Sequence, residues 1–519
     1  MTPTAKLRVV RPVEQPARLQ TLGDVLRYNA RVHAHGEAAT DGTARVSWQE
    51  LLQRAESACS QFRSLGVKRG DRIAVVLPNQ LETLVLYWAC ALWGAIFVGA
   101  SPRLGHDDLR RILDHSGAVA AFLAETVDPA VVPRATGAIV VSDRIDPAQF
   151  FNVVAPLDED DLPLVEDGEA FAIVYTSGTT GSAKGVLLTH RNLVWNASAT
   201  AEALAIQKSD SFLVAVQITH IFGMSAAVLV AALRGARCVL MREHAAGRAL
   251  DLCEWEGITI HHGSPTMFLL ELAAQRRAPR DLSALRTGIV AAAPVEPALA
   301  DAIRAELHCD IEIAWGLTET SPTLTITRPY DAAVERRTSV GRPLPGADVR
   351  LDDVGGEYGE ILARSPGVFG GYFNDPAASA AVLTEDGYFR TGDLGWIDED
   401  GFLHLAGRVK EIIIRSGLHV YPDELESLIR TLPWVASVAV VGIADKVLGE
   451  RVCVCVVERP GAQAPQELLG AVRAAIAGRL ADYKLPDVVV RVSELPRSAA
   501  GKILKNILRE NAMAEIAAQ

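Results

Sequence analysis

The residue types best suited to chemistry lie in Tyr175-Thr-Ser-Gly-Thr-Thr-Gly-Ser-Ala-Lys-Gly185, flanked by the apolar runs AFAIVY and GVLL. Glycines at 178, 181 and 185 let the backbone approach a ligand closely, while five hydroxyls and Lys184 offer donors matched to phosphate oxygens. The strand-like flanks favour a phosphate loop over a Gly/Ser surface linker. It is not a Walker A loop, because Ala183 precedes Lys184 and Gly185 follows it, where that motif requires Gly-Lys-Ser/Thr. Two further residues invite a chemical reading: His220, alone in the apolar run Ile218-Thr-His-Ile-Phe-Gly-Met224, and Lys502 in LPRSAAGKI. A lone histidine in such a run is ordinarily a satisfied core residue, and a lone Gly-Lys an ordinary solvated lysine. Both need a setting before they acquire a role.

The elements that must position these residues are those of a large globular chain. Its 519 residues exceed one domain, and 49% hydrophobic with 22% charged residues excludes disorder or a fibrous repeat. A net charge of −12 argues against a protein that neutralises nucleic-acid phosphates, while leaving room for a local basic site. Seven cysteines form no CxxC pair and no zinc-like spacing, and read as buried thiols in a reducing compartment. MTPTAKLRVVRPVEQPARLQ shows no secretory pattern, so a cytoplasmic location is expected. The uncharged run Leu84 to Ala100 is short for a membrane span and is interrupted by Gly94, so it reads as a buried helix followed by a strand.

Ser47 and Glu50 form a capping-box pattern ahead of Leu51, Ala55, Ala58 and Phe62, one apolar helical face. Strand-like runs then recur at 72–77, 138–141, 170–175, 211–216, 238–241, 288–292 and 311–314, separated by helical or turn-rich stretches, which predicts α/β with a largely parallel sheet. From 341 to 400 short strands with many glycines predict a β-barrel-like subdomain. The block from Arg408 onward holds 15 basic and 13 acidic residues, whereas the preceding part holds 36 and 50. The expected organisation is therefore a large N-terminal domain, 1–407, and a smaller, more electropositive α+β domain, 408–519, that closes over a polyanion.

Four more segments occur in order after the loop: Trp315-Gly-Leu-Thr-Glu319, Tyr388-Phe-Arg-Thr-Gly-Asp393, Gly407-Arg-Val-Lys-Glu411 running into Gly417-Leu-His-Val-Tyr-Pro-Asp-Glu-Leu-Glu426, and Leu495-Pro-Arg-Ser-Ala-Ala-Gly-Lys-Ile503. With the loop, they make the chain resemble the adenylate-forming superfamily of acyl-CoA synthetases, 4-coumarate-CoA ligase-like enzymes, luciferases and peptide-synthetase adenylation domains, and most of all the fatty-acyl-CoA synthetases. The resemblance implies that a carboxylate attacks the α-phosphate of Mg·ATP to give acyl-AMP and pyrophosphate, after which a thiol displaces AMP. It implies that Thr176, Ser177, Gly178, Thr179, Thr180, Gly181 and Lys184 hold the leaving phosphates, and that Glu319, beside Thr318, ligates Mg²⁺. Asp393 would accept the ribose hydroxyls, Arg408 would add a charged donor, and Trp315, Gly316, Ala292 and Ala293 would border the adenine. Lys502 would stabilise the adenylation transition state, Lys410 would be the hinge of a mobile C-terminal domain, and Gly417 would border the coenzyme A channel.

By the same resemblance His220, Phe222, Gly223, Met224, Val290, Ala291, Ile313, Ala314 and Leu317 would line the acyl pocket, His220 orienting the acid or gating the site. Between Val214 and Leu233 there is no Asp, Glu, Lys or Arg, so an amino acid or dicarboxylate would leave its second charge unpaired in the interior. The expected substrate is an acid with an uncharged fatty, alicyclic or aryl-alkyl tail. Coenzyme A is the expected acceptor; a carrier-protein phosphopantetheine is the alternative. The segment 291–293 is Ala-Ala-Ala where relatives commonly carry a glycine, a departure at the edge of the nucleotide site.

Overall fold

The computed structural model describes residues 19–133, 137–141, 157, 159–176, 184–354, 357–477, 479–497 and 503–518. The helix Trp48–Ser64 starts as its sequence dictates: Ser47 Oγ accepts from the Glu50 amide at 3.2 Å, and Glu50 Oε2 accepts from the Ser47 amide at 2.7 Å. Its Leu51, Ala55, Ala58 and Phe62 face the core and are buried. The uncharged run resolves into the helix Leu81–Trp93, buried on every side, and the strand Ile96–Gly99. Gly94 separates them in the left-handed region at φ +71°. Among the described residues no helix is long and apolar enough to cross a membrane.

That strand belongs to a six-stranded sheet ordered Gly137–Val141, Ala120–Ala124, Arg72–Val76, Ile96–Gly99, Ala170–Thr176, Lys184–Thr189. The first five strands are parallel, and the last is an antiparallel hairpin partner that pairs Thr176 with Lys184. The phosphate-loop segment therefore joins two adjacent strand ends. A nine-stranded sheet lies beside it, with a parallel centre built from Asp310–Trp315, Thr287–Val290, Ile260–His261, Ser211–Val214, Arg237–Leu240 and Glu37–Thr40.

The glycine-rich region forms a four-stranded antiparallel meander, Asp348–Asp353, Gly359–Arg364, Phe389–Ile397 and Leu403–Arg408. Beyond it a separate sheet, with Val435–Asp445 and Gly449–Glu458 at its heart, packs against the helices Pro422–Arg430 and Leu468–Ile476 around its own apolar cluster. The fold is thus mixed α/β, with a large N-terminal part and a smaller α+β part after it. All seven cysteines are buried free thiols.

Gly94 tests this packing. A Cβ there would sit 3.0 Å from Arg69 Cγ and 3.2 Å from Val165 Cγ2, on a backbone that L-residues adopt at a cost. Gly94→Ala is expected to destabilise the N-terminal part by about 1–2 kcal/mol, read as a lower urea midpoint.

Candidate active site

Trp315 ends its strand at the edge of the parallel region, and the next residue turns the chain sharply. A Cβ on Gly316 would come within 1.8 Å of the Pro322 carbonyl oxygen, so only glycine lets the chain fold back here. The 3₁₀ turn Thr318–Thr320 follows, holding Thr318 and Glu319 buried. The meander approaches from the other side. Its register places Asp393 directly opposite Arg408, and the Arg408 Nε lies 2.8 Å from Asp393 Oδ1. The second carboxylate oxygen accepts a 3.1 Å hydrogen bond from the Trp315 indole N–H. Trp315, Asp393 and Arg408, distant in sequence, meet at one buried carboxylate.

Glu319 makes a second connection. Its Oε1 accepts from the Tyr372 hydroxyl at 2.9 Å, and its backbone carbonyl accepts from the Phe369 amide at 2.9 Å. Burial raises the Glu319 pKa, opposed by hydrogen bonds and by nearby Arg408. Lys184 Nζ sits 4.7 Å over the Tyr372 ring. Thr176 and Lys184 thus mark the two ends of the loop, while Ser177, Gly178, Thr179, Thr180, Gly181 and Lys502 lie outside the described residues.

His220 precedes the π-helix Phe222–Leu229, a helix type that clusters at functional sites. His220 is exposed as a residue, and desolvation lowers its pKa. Nδ1 accepts the Phe222 amide at 3.3 Å, so the neutral ring carries its proton on Nε2. Phe222 stacks on the His262 ring at 5.9 Å. His262 is itself held neutral, its pKa pushed down to about 3 by burial, with Nδ1 accepting from Ile289 N–H and Nε2 donating to the Ala226 carbonyl.

The expected acyl lining divides into two groups. Phe222, Met224 and Ala314 share one apolar cluster, with Ala291 and Leu317 packed against it. Val290 and Ile313 do not join them: neighbours in adjacent parallel strands, they belong to a second cluster with Leu213 and Phe268, because successive strand residues face opposite sides of the sheet. Ile289, the residue before Val290, belongs to the cluster of Phe222 and Met224. Gly223 is a packing position, since a Cβ would come within 2.2 Å of the Gln217 carbonyl oxygen. Ala292 and Ala293 are exposed, and Ala292 has φ +72°.

With this geometry in view, the AMP-binding enzyme model matches residues 26–373, and the AMP-binding enzyme C-terminal domain model matches residues 424–502. The chain belongs to the AMP-binding enzyme family. A relative from Rhodococcus jostii named 3-[(3aS,4S,7aS)-7a-methyl-1,5-dioxo-octahydro-1H-inden-4-yl]propanoyl:CoA ligase is 32% identical over 523 residues, covering 96% of this chain and 99% of its own. A feruloyl-CoA synthase from Amycolatopsis is 34% identical over 506 residues, covering 95% and 99%. ATP-bound MatB from Rhodopseudomonas palustris superposes with a TM-score of 0.84 at 27% identity, covering 94% of this chain and 98% of that one. This AMP-binding enzyme is an acyl-CoA ligase.

In this ligase the expected hinge and channel residues stand on the C-terminal side. Lys410 is exposed in the 3₁₀ turn Val409–Glu411 that leaves the meander. Gly417 lies at φ +81° between the strands Ile413–Arg415 and Leu418–Val420, with open space around it. Lys505 Nζ pairs with Glu411 and Glu426, both at 2.9 Å, and Asp423 is packed beside them against Gly407. Burial pushes the Asp423 pKa up to about 6. Sequence reasoning named neither Tyr372, nor His262, nor the cluster of Lys505, Glu411, Glu426 and Asp423. The only signal for Tyr372 was its place in the glycine-rich segment GVFGGYF.

Ala292 gives a direct check on the strained turn. Ala292→Gly is expected to stabilise the enzyme by about 1 kcal/mol, because glycine occupies the left-handed region without the Cβ penalty. A higher urea midpoint of the N-terminal transition would report it.

Proposed function

We propose that the enzyme activates a carboxylic acid with an uncharged tail as acyl-AMP, releasing pyrophosphate, and then transfers the acyl group to coenzyme A. The observation that carries this reading is the meeting of Trp315, Asp393 and Arg408 at one buried carboxylate beside the Glu319 turn. Asp393 would receive the ribose hydroxyls as a charged acceptor held by the Trp315 N–H and paired with the Arg408 cation, and Arg408 would add positive charge toward the phosphates. The loop from Thr176 to Lys184 would bind the leaving phosphates.

A magnesium ion fits Glu319, a buried hard-oxygen donor with one oxygen held by Tyr372. Bound there with ATP, the ion would neutralise negative charge on the phosphates. Lys502 would stabilise charge developing at the α-phosphorus as the acid attacks. On either side of Lys502 in sequence, Arg497 bridges Ile503 and the Leu504 amide donates to the Pro496 carbonyl at 2.8 Å. In this proposal the chain divides near 407/408, and rotation about Lys410 exchanges Lys502 for the Gly417 hairpin between the two half-reactions.

The tail specificity rests on the wall from Ile218 to Leu233, which carries no ionic side chain and only neutral His220. The relatives named for an indenyl propanoate and for ferulate have uncharged tails of this kind.

Product analysis by mass spectrometry, with Mg·ATP, a panel of neutral acids, and coenzyme A present or absent, tests the proposal. Acyl-CoA and AMP are expected for one tail class, whereas acyl-AMP accumulating with coenzyme A untouched would assign the acyl group to a carrier protein. Lys502→Ala is expected to lower acyl-AMP formation by at least about 100-fold while retaining thioester synthesis from supplied acyl-AMP. An equal loss in both steps would contradict its assigned role.

A further inference from the structure

Glu319 and Lys184 both enter the proposed site, and one side chain touches the two of them. Tyr372 donates its hydroxyl to Glu319 Oε1 at 2.9 Å and presents its ring to Lys184 Nζ at 4.7 Å. Its backbone is fixed with equal care. Tyr372 bridges Val186 in antiparallel fashion, and the Phe373 amide donates to the Gly185 carbonyl at 2.8 Å, so this segment is docked on the strand leaving the phosphate loop. The Tyr372 amide donates to Ser379 Oγ at 2.8 Å. At the other end, the Phe369 amide donates to the Glu319 carbonyl, and the Phe369 ring meets the Tyr372 ring edge-on at 4.9 Å. Residues 369–373 therefore form a strut from the 3₁₀ turn of Glu319 to the exit of the loop.

We propose that Tyr372 is a positioning residue for metal-bound ATP: its hydroxyl fixes the Glu319 carboxylate with Oε2 left for the cation, and its ring seats Lys184 at the loop exit. One side chain thereby sets the spacing between the carboxylate that holds the metal and the lysine that meets the phosphates. A hydroxyl bound to a buried carboxylate suits this task, because a donor to a charged acceptor is directional and strong. Ring and hydroxyl have separate duties, so they can be removed separately. This inference rests on the reading of Glu319 as the magnesium ligand.

Calorimetric titration of the full-length protein with ATP, in excess MgCl₂ and in EDTA without added acid, separates the possibilities. For the wild type, magnesium is expected to tighten ATP binding. Tyr372→Phe keeps the ring and loses the hydroxyl, and is expected to lose roughly 10-fold or more of that magnesium-dependent tightening, with metal-free affinity unchanged. Tyr372→Leu also removes the seat of Lys184 and is expected to weaken metal-free binding as well. A thermal melt of each variant checks that it folds. Magnesium enhancement retained in Tyr372→Phe, or affinity lost equally with and without metal, overturns the positioning role. If magnesium has no effect on the wild type, the metal reading of Glu319 fails, and this inference with it.

Discussion

The Asp393 carboxylate is the constraint on which the rest of the site depends. It is buried, and an unpaired charge there would cost several kcal/mol, of the order of 3–5 when one partner of such a pair is removed. Trp315 donates to one of its oxygens and the Arg408 guanidinium pairs with the other, and each brings a different piece of the molecule. Trp315 fixes the end of the strand Asp310–Trp315 in the nine-stranded sheet, with the turn of Glu319 starting three residues beyond. Arg408 fixes the last meander strand, immediately before the turn of Lys410. A register shift of one residue between the last two meander strands would move Arg408 to the other face and leave Asp393 without its cation.

The C-terminal part is fastened to this frame by a small apolar cluster, in which Tyr421 packs with Leu394 and Ala406, and by polar contacts around it. Lys484, itself buried, pairs with Glu357 at the tip of the meander and with Glu424 on its own side, each within 3.0 Å. Tyr358 donates to Glu424 and packs edge-on against Tyr421. Arg430 reaches Glu296 just ahead of the helix Pro297–Glu306. Parting these contacts would expose only the small apolar patch around Tyr421. That property suits a unit proposed to occupy two orientations in one catalytic cycle.

Much of the fold was legible because local signals and tertiary packing agree. Ser47 and Glu50 announce a helix that the core then confirms through Leu51 and Phe62, and Gly94 divides an apolar run that composition alone leaves ambiguous. The family and its activity were legible from ordered segments rather than from any single loop. The acyl wall was less so. Thr287–Val290 is buried on both faces, so polar residues do not mark its two sides, and Val290 and Ile313 lie with Leu213 and Phe268 while Ile289 and Ala314 lie in the cluster of Phe222. Tyr372 was invisible for another reason: its contacts are with residues 184 and 319, and no local pattern encodes them. At Ala292 the departure from glycine was visible, and the positive φ supplies its physical meaning.

The central claim is that the acid attacks the α-phosphorus of ATP and that the enzyme holds the resulting adenylate. The most direct test supplies a substrate acid with ¹⁸O in its carboxylate, with Mg·ATP and coenzyme A, and reads the oxygen isotopes of the products by mass spectrometry. Attack at the α-phosphorus places one ¹⁸O in AMP and none in pyrophosphate. Label in inorganic phosphate with release of ADP, or AMP without label, would contradict the account.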